Sequence, residues 1–123
     1  MEELTQKERD AVLKLNAEYR RAFFDEKIRK SGCFFILADD QGPVVIQDAG
    51  EGAEGGVVPV FTDAQFARMF ADGMRIEGAE PRQVSVEAYN GSWAPMLREN
   101  KMELGFMPVA ESDEFETEAP ESL

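Results

Sequence analysis

The sequence contains no histidine, and this absence removes the side chain on which much enzyme chemistry depends. Imidazole is a common proton-transfer group near neutral pH, the usual base beside a serine or cysteine nucleophile, and the commonest zinc ligand. Cysteine is almost absent as well: Cys33 is the only one, so no internal disulfide can form and a reducing compartment suits the chain. Cys33 opens an apolar strand without an activating base beside it, so we interpret it as a small core residue.

Long apolar runs are also missing. No run approaches the roughly 20 residues that a helix needs to span a bilayer. The first ten residues, MEELTQKERD, are polar and acidic and contain no apolar signal core. We therefore expect a cytoplasmic protein that does not bind membranes.

Basic residues are scarce after position 30. Residues 1–30 carry 8 of the 13 Lys and Arg residues against 7 acidic ones, whereas residues 31–123 carry 5 basic and 18 acidic residues. This excess of negative charge repels phosphate and argues against nucleic acid and anionic membranes as partners. It would attract a basic protein surface, although acidity is also a common way to keep a small protein soluble.

The most informative stretch is VVPVFTDAQFARMFADG, residues 57–73, which predicts a buried strand followed directly by an amphipathic helix. Thr62 is the predicted N-cap, with Gln65 at the capping-box position. Phe66, Met69 and Phe70 recur at helical spacing, and Gly73 is the predicted C-terminal stop.

The remaining elements follow from apolar periodicity and turn residues. We expect the first helix to be broken near Asn16 and the last helix to be irregular because of Gly91 and Pro95. Strands that are close in sequence pair as an antiparallel meander by default. The predicted helices cover residues 5–30, 62–73 and 86–100, and the predicted strands cover residues 33–38, 43–47, 57–61 and 102–109, with a glycine-rich loop at 48–56 and a loop at 74–81.

Together these elements predict an α+β fold with one antiparallel sheet of about four strands and helices packed on one face. At 123 residues the chain is long enough for one domain, assigned to residues 1–109. Residues 110–123 contain six acidic residues, no basic residue and one aromatic, so we expect a disordered acidic tail. The alternative is that Phe115 docks in a groove while tail acids meet Arg20, Arg21, Lys27 or Lys30.

No motif specifies a cofactor or a metal. Residues 50–55 match G-x-G-x-x-G, but the loop leads into a strand instead of a helix N-terminus, so we expect no dinucleotide and no other cofactor. Asp39 and Asp40 lack the spacing of a calcium loop and are typical of a turn. An enzyme would require them to converge with Glu77 or Glu80 in one pocket.

The order of these elements resembles domain-of-unknown-function family 2750. The resembling stretches are EYRRAFFDEKI, FFILADDQG followed by PVVIQD, VVPVFTDAQFARMF, and VSVEAYNGSWAPMLRENKMELGFMPV, and together they run from about Asn16 to Val109. The sequence departs from the family at Phe61-Thr62, where an aromatic-proline pair is usual, and in its longer glycine-rich loop. The strand-to-helix joint also resembles the N-terminal domain of the SseB-like family. Neither resemblance implies an active site.

We therefore expect a non-catalytic protein-interaction module that binds a protein, for example an immunity-type protein that covers a basic surface, or that self-associates. The candidate interaction residues are Asp39, Asp40, Tyr89 and Trp93, although aromatic residues at helical spacing are more often part of a core. The competing hypothesis is a carboxylate-based or metal-dependent enzyme that acts on a small molecule.

Overall fold

One strand, β1 (Cys33–Asp39), is buried on both of its faces, and the other elements surround it. In this computed structural model residues 6–46, 56–109 and 116–118 are described. The adjacent residues Ile36, at 1% exposure, and Leu37, at 0%, are both buried. Successive strand side chains point to opposite faces, so buried neighbours show that both faces are covered.

The described residues form an α+β fold, as expected from the sequence. Two helices precede β1, one follows β3, and a short helix, a π-helical turn and a further helix separate β4 from β5. The helices are α1 (Gln6–Leu13), α2 (Ala17–Ser31), α3 (Ala64–Met74), α4 (Val86–Ala88) and α5 (Ala94–Glu99), with the π-helical turn at Tyr89–Trp93. The other strands are β2 (Gly42–Pro43), β3 (Val57–Val60), β4 (Glu80–Ser85), β5 (Glu103–Phe106) and β6 (Glu116–Glu118).

The strands form two three-stranded sheets instead of the expected single sheet of four. The first has the order β2–β1–β4 and is antiparallel throughout. Its strand β4 begins within the expected loop at 74–81 and continues through residues 82–85, to which no element was assigned, and it pairs with β1 from Cys33↔Ser85 to Ala38↔Glu80. Only Val84 of β4 is buried, so the strand carries almost no apolar pattern that could have predicted it.

The second sheet has the order β3–β5–β6, and its β3–β5 pair is parallel. The expected antiparallel meander through residues 33–61 is present at its third strand only as two isolated antiparallel bridges, whereas the ladder of β3 is its parallel pairing with β5. Val57 and Phe61 do bond towards the hairpin, to Ile46 and Phe35 respectively. Pro59 lies between these two contacts and has no N–H to donate, so the ladder on this edge of β3 is interrupted. At this point the neighbour of β1 changes from β3 to β2.

Phe35 and Phe61 join the two sheets. Each donates its backbone N–H to the other's carbonyl oxygen, and both N···O distances are 2.8 Å. This pair places β3 beside β1, so the five strands β4, β1, β3, β5 and β6 form a continuous bent surface.

Helices cover both faces of this surface, not one face as expected. The Phe24 ring of α2 contacts Phe34, with ring centroids 5.9 Å apart. The Phe70 ring of α3 contacts Phe61 at 5.7 Å. Phe35 and Phe34 are neighbours in β1, so their side chains point to opposite faces. Phe61 is the cross-strand partner of Phe35 and shares its face. Helices α2 and α3 therefore lie on opposite faces.

The helix boundaries confirm some predictions and correct others. The predicted break near Asn16 is confirmed, because Asn16 caps α2 by accepting a hydrogen bond from the Tyr19 N–H at 2.9 Å. Asp63, not Thr62, caps α3: its Oδ1 accepts from the N–H groups of the next turn at 3.1 and 3.2 Å. Thr62 is buried instead, and α3 continues through Gly73 to Met74, with Arg75 as its C-cap at a φ of 57°.

The irregular helix predicted over residues 86–100 is confirmed. Its middle winds as a π-helix, in which the Ala94 N–H donates to the carbonyl oxygen of Tyr89, five residues earlier. Pro95 follows directly, and its missing N–H cannot bond to the preceding turn. The wider winding fits a helix that must continue past this proline.

Three residues of the expected tail, Glu116–Glu118, form β6 on the outer edge of β5. The rest of that tail and nearly all of the glycine-rich loop lie outside the described residues. Across the described ranges, no helix has both the length and the apolar character needed to cross a membrane.

Pro81 lies on the free edge of β4. Phe35 directs its N–H and carbonyl towards Phe61, so Phe34 and Ile36 direct theirs towards β4. Leu37, the partner of Pro81, bonds on the other side to Val44. Pro81 therefore turns its nitrogen outward, at an edge that no other described strand occupies, and this edge lacks a donor that another chain could use.

We expect Pro81→Thr to increase self-association, because threonine suits a strand and restores the outward N–H. Sedimentation velocity over a range of concentrations would measure the effect. Gln83→Thr is the matched control, since Gln83 already has an outward N–H. Equal sedimentation of the two variants at every concentration would contradict a protective role for Pro81.

Candidate functional site

Acidic residues collect at the end of the sheet where β1 finishes. Strands β2, β3 and β4 run antiparallel to β1, so they begin at this end. Strand β5 is parallel to β3 and also begins here, whereas β6 is antiparallel to β5 and ends here. We call this region the acidic end. Its described acidic residues are Asp39, Asp40, Glu77, Glu80, Glu103 and Glu118, and the basic residues in the loops that lead into β4 and β5 are Arg75 and Lys101.

Two more acidic segments begin at the acidic end. Residues 47–55 leave the described chain after Ile46 and return just before Gly56, and Ile46 and Val57 bond to each other through N···O distances of 2.7 and 2.9 Å. Residues 119–123 follow Glu118 directly. These two segments contain four acidic residues and no basic one.

The net charge of the protein is concentrated in few places. The described residues include 16 acidic and 13 basic residues, whereas the other residues include 9 acidic residues and no basic one. The described part is therefore nearly balanced, and most of the net charge of −12 belongs to residues 1–5, 47–55, 110–115 and 119–123.

Asp39 and Asp40 form the turn between β1 and β2, as expected. Asp39 Oδ1 accepts a hydrogen bond from the Gln41 N–H at 2.8 Å, and both carboxylates are exposed. Glu80 lies opposite Ala38 in the sheet and is therefore a near neighbour of Asp39. Within the described ranges no three His, Cys, Asp or Glu side chains form a group that could hold a metal ion.

A second cluster of charged residues centres on Arg21 of α2. Its guanidinium bonds to Asp25 at 3.0 Å and to both carboxylate oxygens of Glu118 at 3.1 and 3.2 Å. The same group lies over the Phe106 ring, with Cζ 3.6 Å from the ring centroid. Arg21 thus ties α2 to the last two strands through an ion pair and a cation–π contact.

Arg21 keeps its charge at all ordinary pH values. Burial alone lowers the pKa of its guanidinium, but hydrogen bonds to Asp25 and Glu118 and the charges of both raise it, so the pKa lies above its ordinary value. A raised pKa means that the stabilising contribution is fully present below the unfolded-state pKa and is lost only as pH rises through the folded-state value.

Arg20 has a different role from its neighbour. Its Nε donates to the Met107 carbonyl oxygen at 2.9 Å and its terminal nitrogen to the Leu15 carbonyl oxygen at 2.7 Å. The side chain is 3% exposed, so Arg20 joins α2 to the end of β5 inside the protein. Of the cations considered as partners for the tail, Arg21 is the one shown in contact with a described tail residue, Glu118.

Comparison with known proteins places the chain in a family. The model for DUF2750, described as a protein of unknown function, matches residues 21–123. The chain belongs to the DUF2750 family. No curated protein and no solved structure was found to match it.

The DUF2750 match confirms the resemblance seen in the sequence and includes β6, which lies beyond the residues on which that resemblance was based. The resemblance to the SseB-like domain gains no support from these comparisons. Because the family has no assigned function, the match assigns no role to individual residues of this DUF2750 protein.

The two aromatic candidates of the DUF2750 chain lie in or against the core. Tyr89 is 0% exposed, and its ring meets Phe34 edge-on at 5.5 Å. Trp93 is half-buried and packs against the core. Tyr89 therefore does not contribute to a recognition surface, and it is a core residue, as aromatic residues at helical spacing more often are.

We expect Arg21→Ala to lower the free energy of unfolding by about 1–2 kcal/mol, since it removes a partly buried ion pair and a cation–π contact. Urea denaturation would measure the change. Lys30→Ala is the matched control, because the Lys30–Glu26 pair is exposed on the same helix and should contribute little. Equal losses in the two variants would contradict the role given to Arg21.

Proposed function

We propose that this DUF2750 protein is a non-catalytic protein-binding module whose acidic end contacts a basic surface of another protein. The observation that supports the proposal is the convergence of Asp39, Asp40, Glu80 and Glu103 at one end of the sheet. Charge that is only solubilising needs no such convergence, because acids spread over the surface serve that purpose equally well.

The sign of the charge favours a protein partner. An acidic end repels phosphate groups, which disfavours nucleic acid and anionic membranes. Lysine and arginine on a partner would be attracted, and the attraction would speed encounter. An immunity-type protein that covers a basic toxin surface is one form of this function, and a regulatory module in the cytoplasm is another.

Exposure of these carboxylates makes binding sensitive to salt. Asp39, Asp40 and Glu80 are exposed, and charges in water are screened beyond a Debye length of about 8 Å at physiological ionic strength. Contacts at the acidic end should therefore set the association rate and the choice of partner more than the lifetime of the complex.

We expect the triple variant Asp39→Asn, Asp40→Asn, Glu80→Gln to lose most capture of a basic partner from native cell extract at low salt. Asparagine at position 39 keeps an oxygen that can accept from Gln41, so the turn is preserved. Affinity capture at low and high salt, followed by identification of the retained proteins, would measure the loss.

The matched control neutralises three exposed helical acids away from the acidic end, Asp10, Glu18 and Glu87, and changes the net charge equally. A partner that is captured equally by both variants, or whose capture is insensitive to salt, would contradict the proposal. Saturable binding of Mg²⁺ or Mn²⁺ that is lost in the acidic-end variant would instead favour the carboxylate-based enzyme.

A further inference from the structure

Among the described residues, the C-terminal strand β6 is attached to the rest of the protein by a short ladder and one ion pair. It pairs with β5 over three residues, from Leu104↔Glu118 to Phe106↔Glu116. Its side-chain anchor is the ion pair of Glu118 with Arg21, at 3.1 Å. The Glu118 side chain is 53% exposed, so water and salt reach this anchor. A strand this short, held at an exposed edge, is among the elements that open most easily.

The register shows which β6 backbone groups hold the strand. Glu103 and Met107 direct their N–H groups towards β3, to Gly56 and Val60. By alternation, Leu104 and Phe106 direct their backbone groups towards β6. Glu116 and Glu118 therefore bond to β5, and Thr117 directs its N–H and carbonyl outward.

The chain between the two strands is long enough to reach another molecule. Residues 107–115 connect β5 to β6. Fully extended, nine residues span up to about 30 Å, well beyond the distance between neighbouring strands. This length allows the strand to occupy either its own β5 or the β5 of a second copy.

We propose that β6 is exchanged between two copies of this chain, so that each copy's C-terminal strand pairs with β5 and Arg21 of the other. The exchanged pair would make the same ladder hydrogen bonds and the same Arg21–Glu118 ion pair as the single chain makes. This inference does not depend on the proposed binding of a basic partner.

Exchange suits the charge of this strand better than addition at its edge. Placing two β6 strands side by side would bring acidic residues of one copy against those of the other, which is unfavourable. Exchange instead keeps Glu118 against Arg21. The β6 strand of the second copy therefore lies at the β5 edge of the first, where β6 already pairs in the single chain.

The tether sets the concentration at which exchange occurs. A strand joined to its own site by a connection of about nine residues has an effective concentration there of the order of 1 mM. The unaltered chain should therefore be mostly monomeric well below that concentration. A change that weakens the Arg21–Glu118 ion pair within one chain but keeps it between two chains should lower the concentration at which the dimer forms.

Two charge reversals separate the two pairings. In Arg21→Glu and in Glu118→Arg, each chain alone has like charges at positions 21 and 118. When the variants are mixed, exchange pairs the introduced arginine at position 118 with the introduced glutamate at position 21 of the other chain, and it restores Glu118 against Arg21. We expect a 1:1 heterodimer by native mass spectrometry and light scattering, at concentrations at least about tenfold below those needed by the unaltered chain.

The double variant R21E/E118R is the control, since it restores opposite charges within one chain and should stay monomeric like the unaltered protein. A mixture that remains monomeric at low salt while both variants keep the unaltered circular dichroism spectrum would overturn the proposal. Heterodimers that appear in the mixture and in neither variant alone would support it.

A second measurement holds even if a charge reversal unfolds the chain. Near 1 mM, the order of the tether's effective concentration, the unaltered chain should show a dimer by sedimentation. Glu116→Pro should abolish this dimer because it removes an N–H that bonds to β5. Thr117→Pro should retain it because that N–H faces outward. Absence of a dimer in the unaltered chain, or equal behaviour of the two proline variants, would overturn the proposal.

Discussion

The rest of the structure depends on the reciprocal backbone hydrogen bonds between Phe35 and Phe61. They are the point at which two three-stranded sheets become one bent surface. Because β1 bonds to Phe61 at one position and to β2 further along, its single edge serves two neighbours. Pro59 has no N–H at the step between them, so no donor is left unpaired there. Helices α2 and α3 can then cover opposite faces of this joint.

The same strand directions explain where the charge lies. Acidic residues that are far apart in the sequence lie at one end of the structure, because β1 ends where β3, β4 and β5 begin. Strand β6 ends there too. The Arg21 cluster lies beside it and depends on the same topology, since Phe106 and Glu118 belong to adjacent strands. The exchangeable strand therefore follows from the β3–β5–β6 sheet, and the candidate surface follows from the strand directions of both sheets.

Several elements could be predicted from local sequence because local interactions determine them. Asn16 interrupts the first helical region by capping α2, and Pro95 disturbs the helix that contains it. The unbroken apolar run CFFILA, residues 33–38, predicts a buried strand, and β1 is covered on both of its faces. The acidic residues of the candidate site could be counted, but their convergence could not.

By itself the sequence determined the α+β class, the strand at residues 33–38, the helix that follows the strand at residues 57–61 and the surplus of acid. Only the tertiary structure decided that β3 pairs in parallel with β5, that Glu80–Ser85 is a strand, and that Glu116–Glu118 pairs with β5. The physical reason is the range of the interactions. Capping and amphipathic periodicity act over a few residues, whereas strand pairing joins residues that are far apart in the chain. Its partner, direction and register depend on which edges and faces the other elements leave free.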